Sequence, residues 1–280
     1  MKFSVLLAIA LLAQCIVLTK SARILMLSPM GTRSHMYSFM PIMETLAERG
    51  HQVTVVTAHP PKTNLPNIRK IFITELVQHL EGDWQSFERK GLMAVVTTFI
   101  TEMRILQKVG YEILMKNTEI QEILRTKEVD LVVVDAIMNE FTLPLIDHLG
   151  VPFIFHSAST GPPWTLAAFD VAQDYASVPS MASDYKSRMT FMERFLNLVM
   201  TEIFLSIRKI FSLRMLDSIA RKDFPNSRPI EEIERNAELC LASSHPATAW
   251  PRSLPPTFVP IGAFHVGLPK PLPKVFSSSC

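Results

Sequence analysis

Short apolar runs alternate along the chain with longer segments that repeat apolar residues at helical spacing. The runs RILML (residues 23–27) and HQVTVVTA (51–58) flank one such segment. Its spaced apolar residues are Met40, Met43, Leu46 and Ala47. Gly50 follows them, as expected for the residue that ends a helix. This order predicts a β-α-β unit whose two strands are parallel and covered on both faces.

The alternation continues through most of the remaining sequence. Residues 86–116 and EFTLPLIDHLG (140–150) have helical patterns. Further strands are predicted in IRKIFITEL (68–76), VDLVVVDA (129–136), VPFIFHSA (151–158), ELCLASS (238–244) and TFVPIGAF (257–264). We therefore predict an α/β fold with a Rossmann-like, doubly wound parallel sheet.

Two stretches interrupt this regular order. Residues 161–188 are rich in Pro, Ser and Asp, and we predict a long loop with short helical pieces. Residues 189–222 are strongly apolar but carry charges at intervals of several residues. These charges argue against a membrane span. Helices that pack on the sheet and helices that contact a membrane surface are both compatible with the pattern.

The first 21 residues differ from the rest of the chain. A basic start (Met1, Lys2) is followed by a long apolar stretch and by small residues near Ser21, which is typical of a cleaved secretory signal. The apolar stretch is close to spanning length, so an uncleaved anchor is the alternative. Both interpretations predict that the body of the chain lies in the endoplasmic reticulum lumen or is secreted.

Charge and cysteine content narrow the ligand class. The 28 basic and 26 acidic residues are spread along the sequence, which argues against a nucleic-acid partner and favours a small or apolar ligand. Cys15 falls in the signal, and Cys240 and Cys280 do not form a disulfide framework. No paired Cys or H-E-x-x-H pattern predicts a metal, and no G-x-G-x-x-G motif predicts a dinucleotide.

A histidine and an aspartate follow two of the predicted strands. His35 lies in SPMGTRSHMYSF (28–39) at a helix start, where amide groups disfavour the imidazolium form. Asp135 ends the run VDLVVVD, and ligands of such sheets bind beyond the carboxyl ends of the strands. The pair would form a general base able to deprotonate a hydroxyl group. The alternative is structural, with His35 as a helix-end residue and Asp135 as a cap for the next helix.

Candidate ligand contacts are apolar. Five side chains could line a pocket for an apolar ligand: Met93, Phe99, Met103, Trp164 and Phe169. Apolar residues are most often buried for packing, so a core role is the alternative for each of them.

Four segments in the same order resemble the N-terminal half of animal UDP-glycosyltransferases, the insect type in particular. They are residues 22–61, VDLVVVDA with LGVPFI (149–154), MTFMERFLN (189–197), and LCLASSHPATAWPRSLPPTFVPIGAFHV (239–266). The resemblance implies a GT-B glycosyltransferase in which residues 22–266 form the N-terminal acceptor-binding domain. Residues 267–280 would then be a truncated interdomain linker.

What the resemblance implies about chemistry agrees with the residue pair found above. A base at His35 would take the proton of a small lipophilic acceptor, and Asp135 would orient that base. The acceptor would then displace UDP from a UDP-sugar with inversion, as in detoxification, without a metal or a further cofactor. The resemblance does not choose between glucose and glucuronic acid as the hexose.

The family's C-terminal donor signature is absent from the sequence given. We therefore expect an acceptor half that binds a UDP-sugar only when a C-terminal domain is supplied, and that is inactive alone. A non-catalytic module that binds lipophilic molecules, or that associates with full-length relatives, is the alternative function. An unrelated α/β protein fits the composition but not the four ordered segments.

Overall fold

The computed structural model describes residues 21–80, 97–180, 183–186, 188–245, 247, 249–262 and 264–266. The predicted signal, except its last residue Ser21, and the predicted linker 267–280 lie outside this part of the chain. Within it are the strands β1 (Arg23–Ser28), β2 (Gln52–Thr57), β3 (Ile68–Phe72), β4 (Leu131–Asp135), β5 (Phe153–Ser157), β6 (Leu239–Ala242) and β7 (Phe258–Pro260).

All of these strands are parallel and form one sheet in the order β3-β2-β1-β4-β5-β6-β7. The doubly wound parallel sheet predicted from the alternation is therefore confirmed. The chain builds outward from β1 to β3 and then crosses to β4 on the other side of β1. This reversal creates a crevice between the carboxyl ends of β1 and β4, where ligands of such sheets bind.

Helices connect the strands. They are α1 (Arg33–Glu48), α2 (Val77–Leu80), α3 (Arg104–Lys116), α4 (Thr118–Thr126), α5 (Leu143–Leu149), α6 (Pro163–Ala168), α7 (Phe191–Ile207), α8 (Arg214–Asp223) and α9 (Ile230–Arg235). Short 3₁₀ turns occur at Thr74–Leu76 and Glu140–Thr142, and π-helical turns at Thr98–Met103 and Arg208–Leu213. The predicted helix over 86–116 is confirmed from residue 98 onward, and residues 81–96 lie outside the described part.

Helix α1 covers one face of the sheet next to the crevice. It begins after Thr32 in extended conformation and ends before Gly50, whose φ of +89° suits glycine. Its apolar stripe packs on alternate residues of β1, β2 and β4. The stripe consists of Met36, Phe39, Met43 and Ala47, whereas the predicted Met40 and Leu46 are half-buried. Each large buried side chain contributes roughly 1.5–3 kcal/mol, so this stripe fixes the rotation of α1.

The opposite face of the sheet is covered by a larger core. Leu25, Leu27, Val132 and Val134, which alternate with the residues that face α1, pack there with side chains from α3, α4 and α5. Because both faces are covered, the central strands β1 and β4 are apolar at nearly every position, as the sequence predicted.

Helix α7 leaves several apolar side chains exposed to solvent. Thr190 and Glu193 form a reciprocal capping box at its start. Phe191, Met192 and Phe195 in its first turns are exposed, with Phe191 82% exposed. None of the described helices is long and apolar enough to cross a bilayer. The predicted contact of this region with a membrane surface stays a prediction.

Candidate active site

The crevice between β1 and β4 holds the two residues singled out by the sequence. His35 lies in the first turn of α1, and Asp135 is the last residue of β4. His35 Nδ1 and Asp135 Oδ2 are 2.7 Å apart. The aspartate side chain is fully buried, whereas the histidine ring is 18% exposed. The sheet order therefore joins two residues that are 100 positions apart in sequence.

Two further groups hold the carboxylate in place. Ser28 Oγ donates to Asp135 Oδ2 at 3.0 Å, and the Ile137 amide donates to Oδ1 at 3.1 Å. Both oxygens of Asp135 are thus oriented by the ends of β1 and β4. The structural alternative for Asp135 applies in part, because this carboxylate orders the loop after β4, but it does not cap a helix.

Gly31 is required by the close approach of this pair. A Cβ atom on Gly31 would lie 2.0 Å from Ser28 Oγ and 3.0 Å from Asp135 Oδ2. Any side chain at position 31 would therefore displace the groups that hold the carboxylate. The isolated glycine of the first loop makes room for the pair and does not belong to a dinucleotide motif.

The direction of the pKa shift of His35 differs from the expectation. The sequence predicted that helix amides would favour the neutral ring. Burial does lower the pKa of His35, but the charge of Asp135 and its hydrogen bond outweigh burial and raise the pKa above that of an ordinary histidine. Asp135 thus makes the ring a stronger base than the helix start alone would allow.

A second hydrogen-bonded group lies one turn further along α1. Ser38 Oγ is 3.0 Å from His156 Nε2, at the end of β5, and 3.0 Å from Ser243 Oγ. His156 is completely buried, and burial lowers its pKa to about 4. This ring is therefore neutral at physiological pH.

The loops after β1 and β4 are tied to each other by a buried asparagine. Asn139 Oδ1 accepts from the Met30 amide at 2.9 Å, and Asn139 Nδ2 donates to the Ile137 carbonyl at 2.7 Å. One side chain thus connects the loop that leads to His35 with the loop that follows Asp135.

The far end of the β4 loop carries a second buried charged group, which we call the closed cluster: Arg208, Glu140, Glu234 and Gln107. Arg208 Nη2 is 3.0 Å from Glu140 Oε1 and also donates to Glu234 Oε1. Arg208 Nη1 donates to the second oxygen of Glu234, and Gln107 Nε2 to the second oxygen of Glu140. Burial lowers the pKa of Arg208, but the two carboxylates outweigh burial and raise it.

Comparison with known proteins identifies the family of the chain. A model of the family described as UDP-glucoronosyl and UDP-glucosyl transferase matches residues 23–279. The chain belongs to this family. The resemblance found in the sequence is therefore confirmed.

Among curated relatives, UDP-glucosyltransferase 2 of Dactylopius coccus is 28% identical over 271 residues, which are 96% of this chain and 52% of that protein. UDP-glucuronosyltransferase 2B19 of Macaca fascicularis is 27% identical over 263 residues, 86% of this chain and 49% of that protein. The chain spans about half the length of the curated relatives it matches. Among solved structures, the glycosyltransferase CalG4 is 14% identical, with a TM-score of 0.47 over 87% of this chain and 53% of that one.

The residues predicted as acceptor contacts of this UDP-glycosyltransferase chain are located as follows. Met93 lies outside the described residues. Phe99 is described only by its backbone. Met103 and Trp164 are buried beside the closed cluster, with Arg208 above the indole ring at 5.3 Å from its centre. Phe169 packs edge-on against Phe155 and Phe258 in the core. Their role as acceptor contacts stays a prediction.

A groove of about 240 Å³ lies between α1 and the loop after β2. It is lined by Met36, Tyr37, Met40 and Pro61, together with the cationic side chains of Arg33 and Lys62. This groove shares α1 with the catalytic candidate but uses the helix face directed toward the loop after β2.

Sequence reasoning did not find Ser28, Ser38, Asn139 or His156. Ser28 is the last residue of β1 and Ser38 lies three residues after His35, so strand-end position and helical spacing are signals that could have found them. His156 lies within a strand-like run and has no such signal. His51 Nδ1, away from the site, accepts from the Ala22 amide at 3.1 Å.

Proposed function

We propose that this chain supplies the acceptor-binding half of a UDP-glycosyltransferase and the general base of its reaction. The observation that carries the proposal is the 2.7 Å contact between His35 and Asp135 in a crevice that leaves the ring partly open. The reaction is transfer of glucose or glucuronic acid from a UDP-sugar to a small lipophilic acceptor, as in detoxification.

The geometry supports the roles that we propose for the two residues. Because Nδ1–H donates to Asp135, the proton acceptor is Nε2, for which no hydrogen bond is found within the described structure. In the reaction, Nε2 takes the proton of the acceptor hydroxyl as its oxygen bonds to the anomeric carbon. The bond from that carbon to the UDP oxygen breaks, UDP leaves with the electron pair, and the configuration inverts. Asp135 stabilises the imidazolium that results.

Several features support a lipophilic acceptor bound in the lumen or outside the cell. The groove on α1 has an apolar floor of the kind that binds small molecules. The apolar first residues support entry into the secretory pathway.

The test joins this chain to the donor half of a curated relative and measures transfer to a panel of phenols from UDP-glucose and UDP-glucuronic acid. His35→Ala should abolish transfer, and Asp135→Asn should lower turnover by roughly a hundredfold or more. His148→Ala, a histidine at the helix end before β5, is the matched control and should keep full activity. Normal turnover in a folded His35→Ala protein would end the assignment.

The 280 residues tested alone should give no transfer. Positioning acceptor and donor together contributes about 7–11 kcal/mol to such reactions, and the single sheet described here offers one side of that arrangement. Product formation by the isolated chain, with micromolar UDP affinity by calorimetry, would contradict this. Binding of lipophilic phenols without any transfer, in the joined protein as well, would favour the non-catalytic alternative.

A further inference from the structure

Asp135 has two histidines within reach. In the register between β4 and β5, Asp135 lies directly beside His156. Residues paired in this way on parallel strands point to the same face of the sheet, and adjacent strands are about 4.8 Å apart. His35 approaches the carboxylate from α1 above the same face and makes the 2.7 Å contact. No hydrogen bond between His156 and Asp135 is found among the described residues, although the two are neighbours.

The imidazole of His156 is bonded to Ser38 instead. Its Nε2 atom is 3.0 Å from Ser38 Oγ, which in turn is 3.0 Å from Ser243 Oγ. Its Nδ1 atom is buried and has no hydrogen-bond partner in the described part of the protein. The ring is enclosed by Phe39, 4.4 Å away edge-on, and by Phe264.

This arrangement fixes where the proton of the His156 ring sits. A buried N–H without an acceptor is rarer and more costly than a buried acceptor without a donor. The proton therefore lies on Nε2 and is donated to Ser38 Oγ, and the Ser38 hydroxyl donates to Ser243 Oγ. Since its one proton is used in this way, the neutral ring has no N–H left for Asp135.

We propose that Ser38 is a positioning residue that reserves Asp135 for His35 by holding the neighbouring His156 in a hydrogen bond of its own. Ser38 follows His35 by three residues on α1, so the same helix face carries the proposed base and, one turn later, the group that restrains its competitor. The inference rests on the proposed function in taking His35 as the base, but the contact itself is measurable without turnover.

Loss of the Ser38 hydroxyl removes the acceptor of the His156 proton. Both ring nitrogens are then unpartnered in a buried site, and the nearest charged acceptor is Asp135. The ionisable groups around His156 are Asp135, His35 and His265, and Asp135 is the one that favours its protonated form. The released ring is therefore drawn to the carboxylate and competes with His35.

The experiment measures the pKa values of His35 and His156 by NMR titration of the chain itself, in four proteins. In Ser38→Ala, the pKa of His35 should fall by about one unit and that of His156 should rise, because the two rings now share one carboxylate. In His156→Phe, whose ring fits between Phe39 and Phe264, the pKa of His35 should stay unchanged. In the double variant the pKa of His35 should return to its original value, because the competitor is gone.

Recovery of the His35 pKa in the double variant distinguishes competition between the two histidines from a general loosening of α1. A loosened α1 would leave the pKa of His35 low in the double variant. That result, or unchanged pKa values in Ser38→Ala, would overturn the proposal. If Ser38→Ala does not fold, Ser38→Cys provides the same test with a smaller shift, because a thiol is a weak acceptor. Failure of the proposed function would look different: the joined protein would be inactive while these titrations followed the expected pattern.

Discussion

The loop after β4 connects two buried charged groups that differ in one respect. In the closed cluster, both oxygens of Glu140 and of Glu234 accept hydrogen bonds, and the charged side chains are each less than 10% exposed. In the His35–Asp135 pair, the carboxylate is satisfied in the same way, but the histidine ring is 18% exposed. A charged group that is closed on all sides can stabilise a fold, whereas one that leaves an atom open can react.

The largest expected effect is on the closed cluster. Arg208→Met should lower the free energy of unfolding by about 3–5 kcal/mol, because it leaves two buried carboxylates without a partner. Urea unfolding measures the loss. The NMR pKa of His35 should not change, since the closed cluster does not contact the pair.

The matched control adds Glu140→Gln and Glu234→Gln to Arg208→Met. Removing the unpaired charges should recover part of the lost stability. A loss below 1 kcal/mol in Arg208→Met, or no recovery in the triple variant, would contradict the view that Arg208 compensates these two buried carboxylates.

A change of pH is expected to have an intermediate effect on the free energy of unfolding. His156 has a folded pKa of about 4 and an unfolded value near 6.5, so the unfolded chain binds the extra proton between these values. The free energy of unfolding should therefore fall by roughly 3 kcal/mol as pH drops from 6.5 to 4. His35 has a raised pKa, so its contribution is fully present below pH 6.5 and is lost as pH rises through its folded pKa.

Measuring the unfolding of His156→Phe over the same pH range isolates the contribution of His156 to the pH dependence of stability. The fall in stability on the acid side should become smaller in this variant, while the loss on the alkaline side of pH 6.5 should persist. An unchanged acid profile would mean that His156 is not the group responsible.

The smallest effect on stability is expected at Gly31. Gly31→Ala should cost about 1–3 kcal/mol, because its Cβ would overlap Ser28 Oγ. It should also lower the pKa of His35, since the displaced Ser28 and Asp135 no longer hold the ring. Gly50→Ala is the control: its Cβ meets no atom within 4 Å and its cost comes from the positive φ, so the pKa of His35 should not move.

Local patterns predicted most of the fold and the two central residues of the site. Strand and helix order, Gly50, and the strand-end positions of His35 and Asp135 all follow from spacing within short segments. The restraint of His156 by Ser38 and the closed cluster depend on which strands and helices become neighbours. The spacing of residues in one segment does not contain that information.

The direction of the pKa shift of His35 could not be predicted from the sequence for the same reason. The helix start was visible in the sequence, and the structure places His35 in the first turn of that helix. The distance of 2.7 Å to Asp135 was not visible, and at that distance the carboxylate outweighs burial and raises the pKa of the ring.

The separation of 100 positions between His35 and Asp135 also sets the order in which the two residues are synthesised. At about 5–20 residues per second, a ribosome needs about 5–20 s to reach the second residue after making the first. During this interval β1, α1 and β2 can assemble through the apolar stripe of α1, but the crevice has a single wall. The proposed catalytic pair can therefore form only when β4 is added beside β1, after the first β-α-β unit has been made.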